Sequence, residues 1–317
     1  MIRIGVIGGG AWGANHVRCF SELSDACTLV GLADVDESKK ALSEKYKIRY
    51  FKDYREMLPF VDAVSIVAPT NLHYELAKFC LQSGKHVIVE KPLTISEKEG
   101  ATLVRLAEKK NQVLAVGHLY RFCNAVVKLK ELLSDAGEIQ FISMRHIHST
   151  KPPRKDMGVI FNFGSHMFDT LDFLLDRAPK KIFCEKSNFL SEEREDYAVA
   201  MLDYGKFMAN VELSWLHPLK KRDVWVICSK KKFYVDMEEQ KITCYPIDIT
   251  LEKTTALPAF EISVDKNEPL KDELRAFVSS ASSGKTPVNS GTEGLKAVKL
   301  CDLAAKSAEL HKEIVVK

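Results

Sequence analysis

Along the first 120 residues, short unbroken apolar runs alternate with longer stretches in which apolar residues recur every three to four positions. The runs read as strands buried on both faces, and the longer stretches as helices packed by one face. Strands are predicted at residues 2–7, 28–33, 61–67, 86–89 and 113–116. Helices are predicted after the first glycine turn, at 36–46 with Asp36 as cap, from Asn71 to Ser83, and from a Ser96/Glu99 capping box to about Lys110. Gly84 is the expected helix stop. Such alternation predicts a doubly wound parallel sheet.

The pattern changes after residue 120. One helix is expected at 125–133, then a strand near 139–145, a loop carrying Pro152-Pro153 and an apolar helix at 161–175. Strand-like runs follow at 181–184, 197–202, 207–214, 224–228, 233–236 and 241–245, several alternating with period two as antiparallel strands with one wet face do. Closing helices are expected at about 270–280 and 292–311. The fold class is thus α/β, with two domains. Residues 1–119 form a Rossmann domain. Residues 120–317 form an α+β domain with a large, open, mainly antiparallel sheet, and the final helix packs back toward the first domain. A bare apolar sheet face predicts self-association as a homodimer or homotetramer.

The chemistry begins at the first strand's end. Gly8-Gly9-Gly10-Ala11-Trp12-Gly13 is G-x-G-x-x-G between a strand and a helix, and Asp34 ends the second strand 21 residues later. Gly8 permits the tight turn, Gly10 lets backbone approach a pyrophosphate, and Gly13 lets the helix pack close. The helix N-terminus with Ala11 and Trp12 offers N–H groups to phosphate. Asp34 accepts hydrogen bonds from ribose hydroxyls and repels a 2′-phosphate, which predicts NAD over NADP. Ligands in such sheets bind at the carboxyl ends of the strands, where Ala68–His73 and Glu90-Lys91-Pro92 also fall. Lys91 is the cation placed to meet a nicotinamide. Its alternative is a surface lysine before a proline turn.

Composition narrows the class. The chain is 46% hydrophobic with a net charge of +3, too balanced for a nucleic-acid or membrane partner. Lys220-Lys221-Arg222 and Lys230-Lys231-Lys232 read as solvated strand ends. Met1 leads straight into a strand, and no apolar run reaches the roughly 18 residues of a membrane span. Eight cysteines show no metal-ligand spacing. The expectation is a cytoplasmic protein with reduced thiols and no metal.

Several segments together resemble the glucose-fructose oxidoreductase, inositol dehydrogenase and rhizopine-catabolism (Gfo/Idh/MocA) family. They are the glycine motif, Ala68-Pro69-Thr70-Asn71-Leu72-His73, Glu90-Lys91-Pro92, Val116-Gly117-His118 with Arg121-Phe122, Gly164-Ser165-His166-Met167-Phe168-Asp169, and the closing helix and strand. Ser214-Trp215-Leu216-His217-Pro218 with Cys228-Ser229-Lys230 is similar to a nucleotide-sugar 3-dehydrogenase subgroup. The resemblance implies hydride transfer between a nicotinamide and a secondary alcohol of a sugar, sugar acid, polyol or nucleotide sugar. It implies cofactor contacts from Pro69, Thr70, Asn71, His73, Glu90 and Lys91. It implies that Lys91 hydrogen-bonds the reacting hydroxyl, that His166 is the acid/base, and that Arg121 and Asp169 serve the substrate. The family commonly has aspartate where this chain has Asn162, four residues before His166, so Asn162 orients the ring without supplying charge. The alternative is an NAD(H)-binding regulator that keeps the fold without turnover.

Overall fold

The computed structural model describes residues 1–149 and 156–317, so the predicted Pro152-Pro153 loop lies outside the described residues. The chain divides into two compact units, Met1–Leu119 with Glu268–Val298, and Tyr120–Asn267 with Lys299–Lys317.

The first unit is built on six strands: β1 (Ile2–Ile7), β2 (Cys27–Ala33), β3 (Arg49–Phe51), β4 (Ala63–Ile66), β5 (His86–Val89) and β6 (Leu114–Val116). Their order is β3-β2-β1-β4-β5-β6, and every pairing is parallel. The helices are α1 (Ala11–Glu22), α2 (Lys40–Lys45), α3 (Tyr54–Met57), α4 (His73–Gln82) and α5 (Glu97–Lys110). The order reverses between β1 and β4, so their carboxyl ends open a crevice at the switch point. All four residues of β4 are buried, as a strand covered on both faces requires.

Two predicted caps take other forms. Asn71 sits exposed inside a 3₁₀ turn, Thr70–Leu72, ahead of α4, and makes no cap. Ser96 is the N-cap of α5 by position, yet its side chain accepts no cap bond. Instead the Ser96 carbonyl accepts from Thr94 Oγ1 at 2.7 Å and from the Gly100 amide at 3.1 Å. Asp36 does cap as expected, accepting from the Ser38 amide at 2.9 Å.

The segment Glu268–Val298 clusters with this first unit, whereas the sequence pattern places residues 120–317 in the second domain and sends only the final helix back toward the first. The reason is burial. The helix Pro269–Ser283 packs on α1 and β1, and its Leu270, Leu274 and Phe277 join Ile4, Val17 and Phe20 in one core. Its polar face pairs with Glu22 of α1 through Lys271 at 2.8 Å and with Asp25, in the turn after α1, through Arg275 at 2.6 Å. The Asn289 side-chain Nδ2 donates to the Val116 carbonyl, and the Asn289 backbone carbonyl accepts the Val116 amide at the β6 edge. Gly291 and Gly294 open the helix Gly291–Leu310. A Cβ on either would lie 2.6 Å or less from Leu114 or Val116, so glycine permits that close packing.

The second unit opens with α6 (Asn124–Leu133) and β7 (Ile139–Ile147). A π-turn, Ile160–Gly164, then leads into α7 (Ser165–Leu175). Ten strands follow: β8 (Lys181–Ser187), β9 (Tyr197–Asp203), β10 (Met208–Ser214), β11 (Lys221–Cys228), β12 (Lys232–Asp236), β13 (Lys241–Tyr245), β14 (Ile247–Ile249), β15 (Thr254–Ala256), β16 (Phe260–Ile262) and β17 (Ile314–Val315). Eight of them join β7 in one nine-stranded sheet, β16-β13-β12-β11-β7-β10-β9-β8-β17, antiparallel except where β7 meets β10. β14 and β15 make a separate hairpin whose tip residue Leu251 is exposed.

One face of the large sheet is covered by α6, α7 and the π-turn. Ile142, Met144, Val211, Leu213, Val224 and Val226 are fully buried beneath them. The opposite face carries Phe141, Met201 and Met208, each more than 40% exposed, and an aromatic row in which Trp225 lies 4.8 Å from Tyr234 and 5.5 Å from Tyr245. Lys232 departs from the expected solvated run. It is buried, and its ammonium donates to the carbonyls of Ser229 and Ile247.

Candidate active site

The glycine turn shows why each glycine stands where it does. Gly8 has φ of +103°, and a Cβ there would meet the Val67 carbonyl oxygen at 2.4 Å. A Cβ on Gly13 would lie 2.0 Å from the Gly8 oxygen, so only glycine lets α1 sit so close to β1. A Cβ on Gly10 would meet nothing within 4 Å. That open side, above the exposed residues Gly10, Ala11 and Trp12 at the uncapped start of α1, is the cradle a pyrophosphate needs. The residues present therefore fit a dinucleotide. Asp34 closes the turn: its carboxylate accepts the Gly9 amide at 2.6 Å and the Asp36 amide at 2.9 Å.

Around the carboxyl ends of β4 and β5, Pro69 and Thr70 begin the 3₁₀ turn, with Thr70 buried and Asn71 exposed. His73 is 1% exposed and ties the two loops together. Its Nδ1 lies 2.8 Å from the Pro92 carbonyl and its Nε2 3.0 Å from that of Ala68. His73 thus serves as a strut between the loops. Lys91, half-buried, follows Glu90 at the end of β5, and the Lys91–Pro92 peptide is cis.

The Glu90 side chain turns inward rather than toward the open turn. One oxygen accepts from Trp12 Nε1 at 2.7 Å and from His16 Nε2 at 3.1 Å; the other accepts the Lys91 amide at 3.1 Å. His16 Nδ1 lies 2.8 Å from Ser65 Oγ. A neutral ring with its proton on Nε2 satisfies all of these contacts, because a carboxylate only accepts. Burial pushes the Glu90 carboxyl up, but His16, Trp12 and Lys91 outweigh it and the net displacement is below the ordinary value.

In the second unit, Arg121 and Asp169 are brought together. Arg121 Nε donates to both Asp169 oxygens at 2.9 and 3.1 Å, and its Nη2 donates to Asp172 at 2.9 Å, all nearly buried. His166 lies at the start of α7, 8% exposed, with the Tyr120 ring edge-on at 5.2 Å. Asn162 is buried inside the π-turn. That turn runs directly into α7, whose second residue is His166.

Sequence reasoning missed a ring cluster beside His166. The His146 ring stacks on Phe163 at 3.9 Å and lies 6.0 Å from both His148 and His166. Arg222 Nε donates to His146 Nε2 at 3.2 Å, which places the His146 proton on Nδ1. The signal was available in His146-Ile147-His148, two histidines two apart and so on one face of a strand.

Comparison with known proteins agrees with this geometry. The profile of the oxidoreductase family with an NAD-binding Rossmann fold matches residues 2–118, and the Gfo/Idh/MocA C-terminal domain matches 126–234. The chain belongs to the Gfo/Idh/MocA family. It is 27% identical over 330 aligned positions to a myo-inositol 2-dehydrogenase of Thermotoga maritima, covering 99% of this chain and 98% of that protein. It is 31% identical to a UDP-N-acetylglucosamine 3-dehydrogenase of Acidithiobacillus ferrooxidans over 179 residues, 56% of each chain. The solved structure of that enzyme superposes with a TM-score of 0.86 at 23% identity over 98% of both chains, and so shares the fold. The protein is an NAD-dependent oxidoreductase. Among the described residues no helix is long and apolar enough to cross a membrane.

Proposed function

We propose that this Gfo/Idh/MocA protein is a dehydrogenase acting on a secondary alcohol of a polyol, sugar or nucleotide sugar, working in the cytoplasm as a homo-oligomer. The observation that carries the reading is the Gly8–Gly13 cradle with Asp34 beside it and Lys91 at the end of β5. When bound, NAD supplies the hydride acceptor. The protein binds and orients. Gly10 and the N-terminus of α1 receive the pyrophosphate, and Asp34 receives the ribose hydroxyls. Lys91 donates a hydrogen bond to the reacting oxygen, and His166 takes the proton.

The relatives' names supply the substrate panel: myo-inositol, UDP-N-acetylglucosamine and, from a further structure of the same fold, levoglucosan. Those names also disfavour a regulator without turnover. The test is NADH formation across that panel. Lys91→Ala and His166→Ala are each expected to cut turnover by about 10²–10⁴-fold while leaving NADH binding nearly intact. No turnover on any carbohydrate, with NADH bound, would favour the regulator.

A further inference from the structure

We propose that Glu90 is a positioning residue for Lys91: its carboxylate, clamped between Trp12 and His16, supplies the charge that keeps the adjacent lysine an ammonium donor. The clamp joins three elements. Trp12 and His16 come from α1, Ser65 from β4, and Glu90 with Lys91 from the end of β5. The glycine at 117 belongs to the same arrangement, since a Cβ there would lie 2.7 Å from Glu90 Oε1. Glu90 is 9% exposed and His16 1%.

The network has the composition of a Ser–His–acid triad but not its use. Ser65 is fully buried in the middle of β4, so no substrate reaches its hydroxyl and no proton leaves through it. A buried carboxylate with three donors is instead a fixed negative charge. The titratable groups that face it are His16 from α1 and Lys91 from its own strand end; β4 presents the Ser65 hydroxyl and the β6 side presents the Gly117 backbone. His16 and Trp12 hold one oxygen of the carboxylate, and the other accepts the Lys91 amide, so the charge lies against the strand end that carries Lys91.

This changes the role of Lys91. Desolvation alone lowers a lysine's pKa and would make it a proton acceptor. An adjacent fixed carboxylate opposes that, so Lys91 polarises the reacting oxygen and the proton passes to His166. That last step rests on the dehydrogenase reading. The coupling between Glu90 and Lys91 does not.

The test is competitive acetylation of the full-length protein with acetic anhydride across pH, reading Lys91 by peptide mass spectrometry. Wild type, Glu90→Gln and Glu90→Asp are compared, with NADH binding followed by fluorescence. Glu90→Gln is expected to lower the apparent pKa of Lys91 by about one unit, the low end of the range for a nearby opposite charge. Glu90→Asp, which keeps the charge, restores most of it. Lys91 titrating alike in all three, or shifted equally by Gln and Asp, overturns the proposal, because a purely structural role would alter NADH binding without separating the two variants. Wild type carries the same test if Glu90→Gln does not fold: Lys91 titrating well below the exposed lysines refutes it. None of these readings needs turnover, so failure on every carbohydrate would sink the dehydrogenase reading and leave this one standing.

Discussion

Asp34 holds a negative charge beside the glycine turn, and two backbone amides fix its position. A 2′-phosphate brought to that place carries like charge and is repelled. Asp34→Ala is expected to weaken NADH binding and to relax discrimination against NADPH, both read by fluorescence titration; a wild type that binds NADPH more tightly than NADH would refute the assignment. Asn162 offers a second test. A carboxylate there places negative charge in the buried π-turn that leads to His166 and favours its imidazolium. Asn162→Asp is therefore expected to move the pH–rate profile upward. An unmoved profile, with His166→Ala still active, would remove His166 from the mechanism. At this scale the glycine roles were legible in the sequence, because a turn with positive φ and a helix pressed on a strand are local demands. The inward turn of Glu90 and the Arg121–Asp169 pair were not, because residues 74 and 48 positions apart in the chain make those contacts.

The strands of the first unit begin under a specific tie. Arg3, early in β1, donates from Nη2 to Asp62 at 2.6 Å and from its own amide at 2.9 Å, just before β4. The Arg3 hydrogen bonds hold the Asp62 carboxyl down to about 2, against the partial opposition of burial. The unfolded value is ~3.9. A depressed folded pKa stabilises above the unfolded value, so the contribution is complete above about pH 4 and vanishes as pH falls through about 2. Arg3→Gln is expected to lower Tm at pH 7 and to leave it unchanged near pH 2, by calorimetry; an equal loss at both pH values would show that the charge pair contributes nothing. Arg3 is half exposed, so the effect at pH 7 is small. Elements with a strong period were legible: β5 and β13 match their predicted bounds, and α6 begins one residue early. Short or exposed ones were not. β14, β15 and β16 are three-residue strands with little buried surface, and the π-turn before α7 has no hydrophobic period of its own.

Over the whole chain, the legible part was the sequence of layers, and the hidden part was which layer the segment Glu268–Val298 joins. Nothing in its amphipathic pattern distinguishes the β1 face from any other apolar surface, and only the packed core with Phe20 and Leu274 decides it. The eight cysteines are all buried, and burial pushes Cys19 and Cys80 up to about 12, so they behave as inert hydrophobes. Part of the exposed apolar surface lies on the open face of the nine-stranded sheet. Phe141 and Met208 are paired in register there, Met201 is also exposed, and Trp225 stands beside Tyr234 and Tyr245. On the same face Arg145 forks onto the buried Asp223 at 3.0 and 2.7 Å and the Tyr234 hydroxyl donates to it, so a second copy can cover this trio without stranding its charges. A contiguous apolar patch of this kind marks an association surface. A stable contact needs about 1,000 Å² or more. The protein is expected to sediment as a dimer or tetramer at micromolar concentration. Trp225→Glu combined with Met208→Asp is expected to yield monomer that still binds NADH, since neither residue belongs to the unit that carries the glycine turn. A wild type that sediments as monomer, or a double variant that keeps the wild-type mass, would place the association elsewhere or abolish it.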